Sequence, residues 1–415
     1  MSTQRTILDN GITVITVENP TADIIAGRLF LKAGGRWESR EKAGISHLLS
    51  NVLTKGTNRL SSIEIAEKIE SVGAVLGADA STDYFAIGFK TVTIDFREIF
   101  QLVGEIARSP RFPTEEVELE QHLTLQNIRS QQERPFNVGF KQLREAMYGE
   151  HPYGISILGM LETVSQLNRK DLQEYHQTYF RPDNLIISLS GRIQHEEAIA
   201  TVTEIFGDWH RPDAPLPELA VPAVTSQPTP QKTPRDSQQA IVMLGYLSPS
   251  VRKETDYTVL KLLNTYLGNG LSSRLFVELR EKRGLAYDVS AFYPTRLDTS
   301  QFVVYMGTAP ENTAIALEGL HQEVTRLCAT SLAPEELQAA KNKLLGQYAL
   351  GKQTNSEIAQ ILGWYETIEV GLDFDSQFQE AIAAITPEQA KETARRYFSG
   401  DPYISLVGPD NFINT

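Results

Sequence analysis

Residues 163–191, TVSQLNRKDLQEYHQTYFRPDNLIISLSG, decide the fold because the chain contains their pattern twice. A capped amphipathic helix leads into an apolar strand. Residues 381–408, AIAAITPEQAKETARRYFSGDPYISLVG, repeat that order, and Phe180 and Phe398 lie 218 positions apart. A second pair agrees. RFPTEEVELEQHLTLQNI (111–128) and SLAPEELQAAKNKLLGQY (331–348) each open a long helix on a glutamate, Glu115 and Glu335, 220 positions apart. Two independent matches at nearly one offset indicate an internal duplication.

Within each half, strands interleave with longer helices. RLFLKAGG and FAIGFKTVTI in the first half, and QAIVMLGYL and SQFVVYMG in the second, read as strands. The pattern lacks strict strand-helix alternation, so we expect an α+β fold of two tandem homologous domains, each a mainly antiparallel sheet covered by helices. The chain of 415 residues is long enough for two such units. Between them, RPDAPLPELAVPAVTSQPTPQKTPR (211–235) is rich in proline and has no hydrophobic periodicity. The boundaries expected are therefore 1–210, an extended linker at 211–236, and 237–415.

Composition narrows the function. With 39 Lys and Arg against 52 Asp and Glu, the net charge of −13 disfavours a polyanionic nucleic-acid partner and mildly attracts cationic peptides. No apolar run reaches the length of a spanning helix, and the opening MSTQRTILDNGITV has no signal-peptide pattern, so a soluble cytoplasmic chain without a membrane partner is expected. The single cysteine, Cys328, cannot form an internal disulfide and lies in an apolar-periodic segment, which reads as a buried thiol.

The stretch LKAGGRWES (31–39) and then KAGISHLLSNVLTKGTN (42–58) carries a resemblance to the inverted-zincin metallopeptidases, the group of pitrilysin, insulin-degrading enzyme and mitochondrial processing peptidase. In that family a helix bears H-x-x-E-H: two histidines at i and i+4 bind zinc, and the glutamate activates water. Residues four apart on a helix face the same way, which lets both imidazoles converge on one ion. Here the five positions are His47, Leu48, Leu49, Ser50 and Asn51. The base is replaced by serine and the second ligand by asparagine. The family's third ligand, a glutamate on a later helix, falls on Asn127, 76 positions after Asn51. Amide oxygens are poor zinc donors and a serine hydroxyl is no general base, so no metal is expected in this chain and no hydrolysis at this site. The other histidines, at 122, 151, 176, 195, 210 and 321, show no ligand spacing, and a surviving His47 reads as a partly buried helix residue.

The second half retains more. LGNGLSSRLFVELREKRGLAYDVSAF (267–292) resembles the family pattern L-G-x-G-x-S-S-R-L-F-x-x-L-R-x-x-x-G-L-A-Y closely. Physically it reads as a serine-capped helix stopping at Gly284, followed by the strand YDVSAF. The resemblance implies that Arg280 and Tyr287, seven residues apart, bind substrate: a guanidinium suits a peptide carbonyl, and a phenol suits the oxyanion that develops on attack. The plainer alternative is a surface ion pair for Arg280 and packing at a strand start for Tyr287. The 267–273 loop has two glycines and no phosphate-loop lysine, so it is not read as a nucleotide site.

The resemblance spans NGITVI to YISLVG and implies a half-clamshell of two domains. It also implies binding of an extended peptide as an added strand at a sheet edge, for which GAVLGADASTDYFAI (73–87) is suited by its small residues. Some family members divide labour between two chains, and this one carries the signature of the partner that lacks zinc. The expected role is the non-catalytic, substrate-binding subunit of a heterodimeric peptidase whose H-x-x-E-H-bearing paralogue holds the zinc, acting on a peptide or unfolded polypeptide. The rivals are a structural or peptide-holding protein, like the core subunits of respiratory complexes that share the fold, and an independent peptidase with relocated ligands, for which no ligand cluster is visible.

Overall fold

The computed structural model describes residues 3–413, so the outermost ends of the two expected domains, residues 1–2 and 414–415, lie outside the described residues. Among the described residues eleven strands form two sheets. The first contains β1 (Thr3–Ile7), β2 (Thr13–Glu18), β3 (Ile24–Leu31), β4 (Val75–Ala80), β5 (Phe85–Val92) and β6 (Leu185–Gly191), in the order β1-β2-β6-β3-β5-β4. The second contains β7 (Gln231–Pro234), β8 (Ala240–Ser248), β9 (Asp288–Phe292), β10 (Ser300–Thr308) and β11 (Tyr403–Gly408), in the order β7-β11-β8-β10-β9.

These orders superimpose strand for strand once β1 is set aside. In each sheet the strand closing the repeated helix-strand segment, β6 or β11, pairs in parallel with β2 or β7, and every other pairing is antiparallel. Phe180 and Phe398 are both buried at the matching position. The α+β reading and the duplication are therefore seen directly in the topology.

The Pro-rich segment departs from expectation in one respect. Residues 210–230 have no regular structure, but Gln231–Pro234 forms β7 and pairs with Ser405–Gly408 of β11. It occupies the place that β2 takes in the first sheet. Proline is tolerated there because an edge strand bonds on one side only.

One face of the first sheet is apolar and carries Leu29, Leu31, Ile87, Ile187 and Leu189, packed under the helices Ile45–Val52, Phe96–Arg108 and His195–Phe206. The opposite face is covered by the helix Asn355–Thr367, which comes from the second half of the sequence. It approaches closely at Gly363, where a Cβ would lie 2.5 Å from the Phe30 ring. Asn355 anchors it, donating to the Ile24 carbonyl at 3.1 Å.

The second sheet reciprocates. Pro135–Tyr148, a helix of the first half, lies on β8 and β11, with Leu143 and Met147 in a cluster with Ile241, Met243 and Val407. The Ser405 hydroxyl donates to the Gly139 carbonyl at 2.8 Å. The two exchanged helices start 220 positions apart, the offset of the repeat. The compact units are consequently discontinuous: residues 1–128, 155–221 and 350–372 form one, and 129–154, 222–349 and 373–415 the other. The contiguous spans 1–210 and 237–415 read from the sequence do not contain this exchange.

Candidate functional site

In the first unit the helix Ile45–Val52 carries three of the four motif positions. Its burial is set by Leu48, Leu49 and Val52, all fully buried, with Leu53 just beyond its end. His47 and Asn51 share one face as the i, i+4 spacing demands, and their Nε2 and Nδ2 atoms lie 3.4 Å apart. Burial lowers the His47 imidazole below its usual range, and the charge of Glu120 opposes that shift. Ser50 is turned inward, its hydroxyl donating to the His47 carbonyl at 2.8 Å, so no base faces it. Asn127 lies on the helix Thr114–Glu133 and is exposed.

This donor set does not fit zinc. One imidazole and amide groups cannot hold the ion, and among the described residues no group of three or more His, Cys, Asp or Glu is arranged to do so. Cys328 adds nothing. It is half-buried, its thiol lies 3.5 Å from the Ala394 carbonyl, and burial pushes its pKa up, away from the thiolate a nucleophile or ligand needs.

In the second unit the sequence stretch 267–292 folds around β9. The helix Glu254–Gly268 ends against that strand so tightly that a Cβ on Gly268 would fall 2.0 Å from the Ala291 nitrogen. The following loop is pinned by Lys343, which donates to the Asn269 carbonyl, and by Asn269 Nδ2 donating to Gln347 Oε1 at 2.8 Å. The expected serine cap does not form: Ser273 is buried and its hydroxyl has no hydrogen-bond partner. The helix widens to a π-helical turn over Phe276–Glu281, a form that recurs at functional sites.

Arg280 sits on that widened turn. It is exposed, its guanidinium lies over the Phe276 ring at 4.9 Å, and it makes no ion pair among the described residues. The Gly284 N–H donates to the Arg280 carbonyl at 3.0 Å and Gly284 takes φ 62°, which reverses the chain toward β9. Tyr287 immediately precedes that strand. Its main-chain N–H donates to the Gly307 carbonyl at 2.9 Å, its side chain is 58% exposed, and its hydroxyl has no partner among the described residues. The plain alternative for this pair, an ion pair and a packed ring, is thus absent from the structure.

Two features escaped the sequence reading. The strand expected within 73–87 does lie at a sheet edge, as β4. What was missed is Arg28, a half-buried charge inside the apolar run IIAGRLFL, whose surroundings depend on a register that the sequence does not display. The second is the pair Lys343 and Gln347, whose helical spacing points them at the 267–273 loop.

Comparison with known proteins agrees with this geometry. The family profile described as "Insulinase (Peptidase family M16)" matches residues 13–160, and that described as "Peptidase M16 inactive domain" matches residues 166–344. An uncharacterized zinc protease of Mycobacterium leprae is 28% identical over 98% of this chain and 91% of its own length. The uncharacterized zinc protease YmxG of Bacillus subtilis is 27% identical over 98% of both chains. In structure, the M16 inactive domain protein from Pseudomonas fluorescens superposes with a TM-score of 0.91 at 24% identity, covering 99% of this chain and 98% of that one. A protease from Helicobacter pylori gives a TM-score of 0.89 at 22% identity over 98% of each chain. Among the described residues no helix is long and apolar enough to cross a membrane. With a duplicated α+β fold, an H-x-x-E-H helix reduced to His47, Ser50 and Asn51, and two family profiles aligned in sequence along it, the chain belongs to the inverted-zincin peptidase family M16.

Proposed function

We propose that this chain is the non-catalytic, substrate-binding subunit of a heterodimeric zinc peptidase. The observation that carries the proposal is an asymmetry. The motif helix has lost its base and its second ligand, whereas Arg280 and Tyr287 keep their spacing and stand exposed, with no hydrogen-bond or ion-pair partner for their side chains among the described residues. An H-x-x-E-H-bearing paralogue would hold the zinc and the general base, the metal polarising the scissile carbonyl. Arg280 binds a peptide carbonyl, and Tyr287 donates to the oxygen on which negative charge develops; both act in the partner's site. Extended peptide is received along the free edge of β4, where main-chain hydrogen bonds give affinity with little demand on sequence.

The test is peptide hydrolysis by the chain alone, by its H-x-x-E-H paralogue alone, and by an equimolar mixture. Activity is expected in the mixture only, abolished by a chelator. In that mixture Tyr287→Phe and Arg280→Ala each reduce turnover by about 10² or more, as loss of an oxyanion donor does, while the complex still assembles. A mixture that neither associates nor cleaves would return the chain to a structural or peptide-holding role.

A further inference from the structure

The sheet face around Arg28 has an arrangement that core packing does not require. Arg28 on β3 pairs with Gly88 on β5, and Gly88 pairs with Gly77 on β4. Residues directly opposite on antiparallel strands point to the same face, so these three form a row running outward to the sheet edge. Two of the three have no side chain. The guanidinium of Arg28 lies in the vacancy over Gly88: a Cβ there would fall 1.6 Å from Nη1 and 2.5 Å from Cζ. Over Gly77 a Cβ would meet nothing within 4 Å, so the row stays open from the guanidinium to the edge.

Arg28 is half-buried, yet it makes no hydrogen bond or ion pair among the described residues. Its neighbours explain its position without satisfying it. The exchanged helix covers Phe30 on the inner side, and Asp79 on β4 lies near enough for the arginine charge to oppose the rise that burial gives its carboxyl, without pairing with it. A guanidinium offers five donors in a fixed fork, and none of those of Arg28 meets a protein acceptor among the described residues.

We propose that Arg28 reads an acidic side chain, a glutamate, in a peptide bound along β4. The inference rests on the peptide-binding reading of that edge given above. Strands lie about 4.8 Å apart, so a peptide beyond β4 runs about 14 Å from β3. In the structure the guanidinium stands over Gly88, one strand spacing out; extending over the open Gly77 position, an arginine reaches about 7 Å and a glutamate about 5 Å toward it, which brings the two charged groups to a charge-assisted hydrogen-bond distance. An aspartate is about 1 Å shorter and falls short. Any side chain at position 77 or 88 would block the lane. The two glycines and the arginine therefore form one device.

The experiment measures binding of fluorescein-labelled peptides to the full chain, using an uncharged Thr/Ser/Val host with a single central Glu, Asp, Gln or Lys. Because a peptide can slide along the edge, one glutamate can find the register by itself. The Glu peptide is expected to bind about tenfold tighter than the Gln peptide, with Asp between them, as a charge-assisted bond predicts. Arg28→Met, which keeps the apolar stem, should erase that preference and leave the Gln peptide unchanged. Gly88→Ala should do the same by displacing the guanidinium, and Asp79→Asn should strengthen Glu binding. A Glu preference that survives Arg28→Met, or peptides that all bind equally to the unmodified chain, would overturn the assignment to Arg28 alone. Failure of every peptide to bind would instead remove the edge-binding reading itself, and this inference with it.

Discussion

His176 shows how far one residue's surroundings can be read as a measurable property. Its ring stacks on Phe180 with centroids 4.4 Å apart, meets Phe112 edge-on, and donates from Nε2 to the Ala107 carbonyl at 2.9 Å. Burial lowers its pKa to about 4. In the unfolded chain the same imidazole protonates near 6.5, so the native state holds fewer protons between these values. Stability from this residue is thus fully present above pH 6.5 and is lost as pH falls toward 4, by an amount of order 3 kcal/mol. Denaturant unfolding at a series of pH values should show this slope, and His176→Phe, which preserves the stack, should flatten it. A slope unchanged in that variant would assign the acid sensitivity elsewhere. At this scale the sequence was informative wherever identity alone carries chemistry: serine at 50 removes the motif's base and asparagine at 51 its second imidazole, whatever the fold. It was silent about Arg28, because an arginine in an apolar strand acquires its meaning only from the glycines set beside it by pairing.

The helix Ile45–Val52 illustrates what an element draws from outside its own residues. Its first position follows Gly44 in a left-handed conformation, which supplies no side-chain cap. Glu38, in the preceding loop, does so instead: its carboxylate accepts the Gly44 N–H at 2.7 Å, the Ser46 N–H at 2.9 Å and the Ser46 hydroxyl. Burial pushes the carboxyl pKa up, and these three donors pull it back. Glu38→Ala should cost about 1–2 kcal/mol, the worth of an N-cap, seen as a lower midpoint in denaturant with an unchanged slope. A midpoint equal to that of the unmodified chain would show the cap to be dispensable. Helix and strand identities were legible where the apolar pattern is strong, as in β8 and the helix Pro387–Phe398. The short strand β7 was not: QKTP has neither alternation nor β-branched richness, and it becomes a strand only because β11 leaves an edge to be filled. The π-helical turn at Phe276–Glu281 was equally hidden, since it shares the apolar spacing of an α-helix over so short a span.

At the scale of the molecule the repeat could be read from two offsets, but the exchange of Pro135–Tyr148 and Asn355–Thr367 could not. An amphipathic helix records that one face is covered without recording by which sheet. The exchange makes a prediction for divided chains. Residues 1–221 expressed alone lack the helix over β3 and β6, and residues 222–415 alone lack the one over β8 and β11. Each should melt without a cooperative transition or aggregate, and co-expression of the two should restore a cooperative melt. A cooperative melt from either half alone would show that the borrowed helix is not needed.

The same exchange has a meaning in time. The ribosome finishes β6 at Gly191 but does not deliver Thr367, the end of the helix that roofs that sheet, until 176 residues later. At about 5–20 residues per second, the first sheet waits roughly 10–35 s with a face uncovered. During that wait it displays Phe30, Ala26 and an unshielded row of backbone to anything nearby. Until the second half has been made, that face is a surface a holding chaperone would shield, and slow codons after residue 191 would lengthen the exposure instead of aiding the fold.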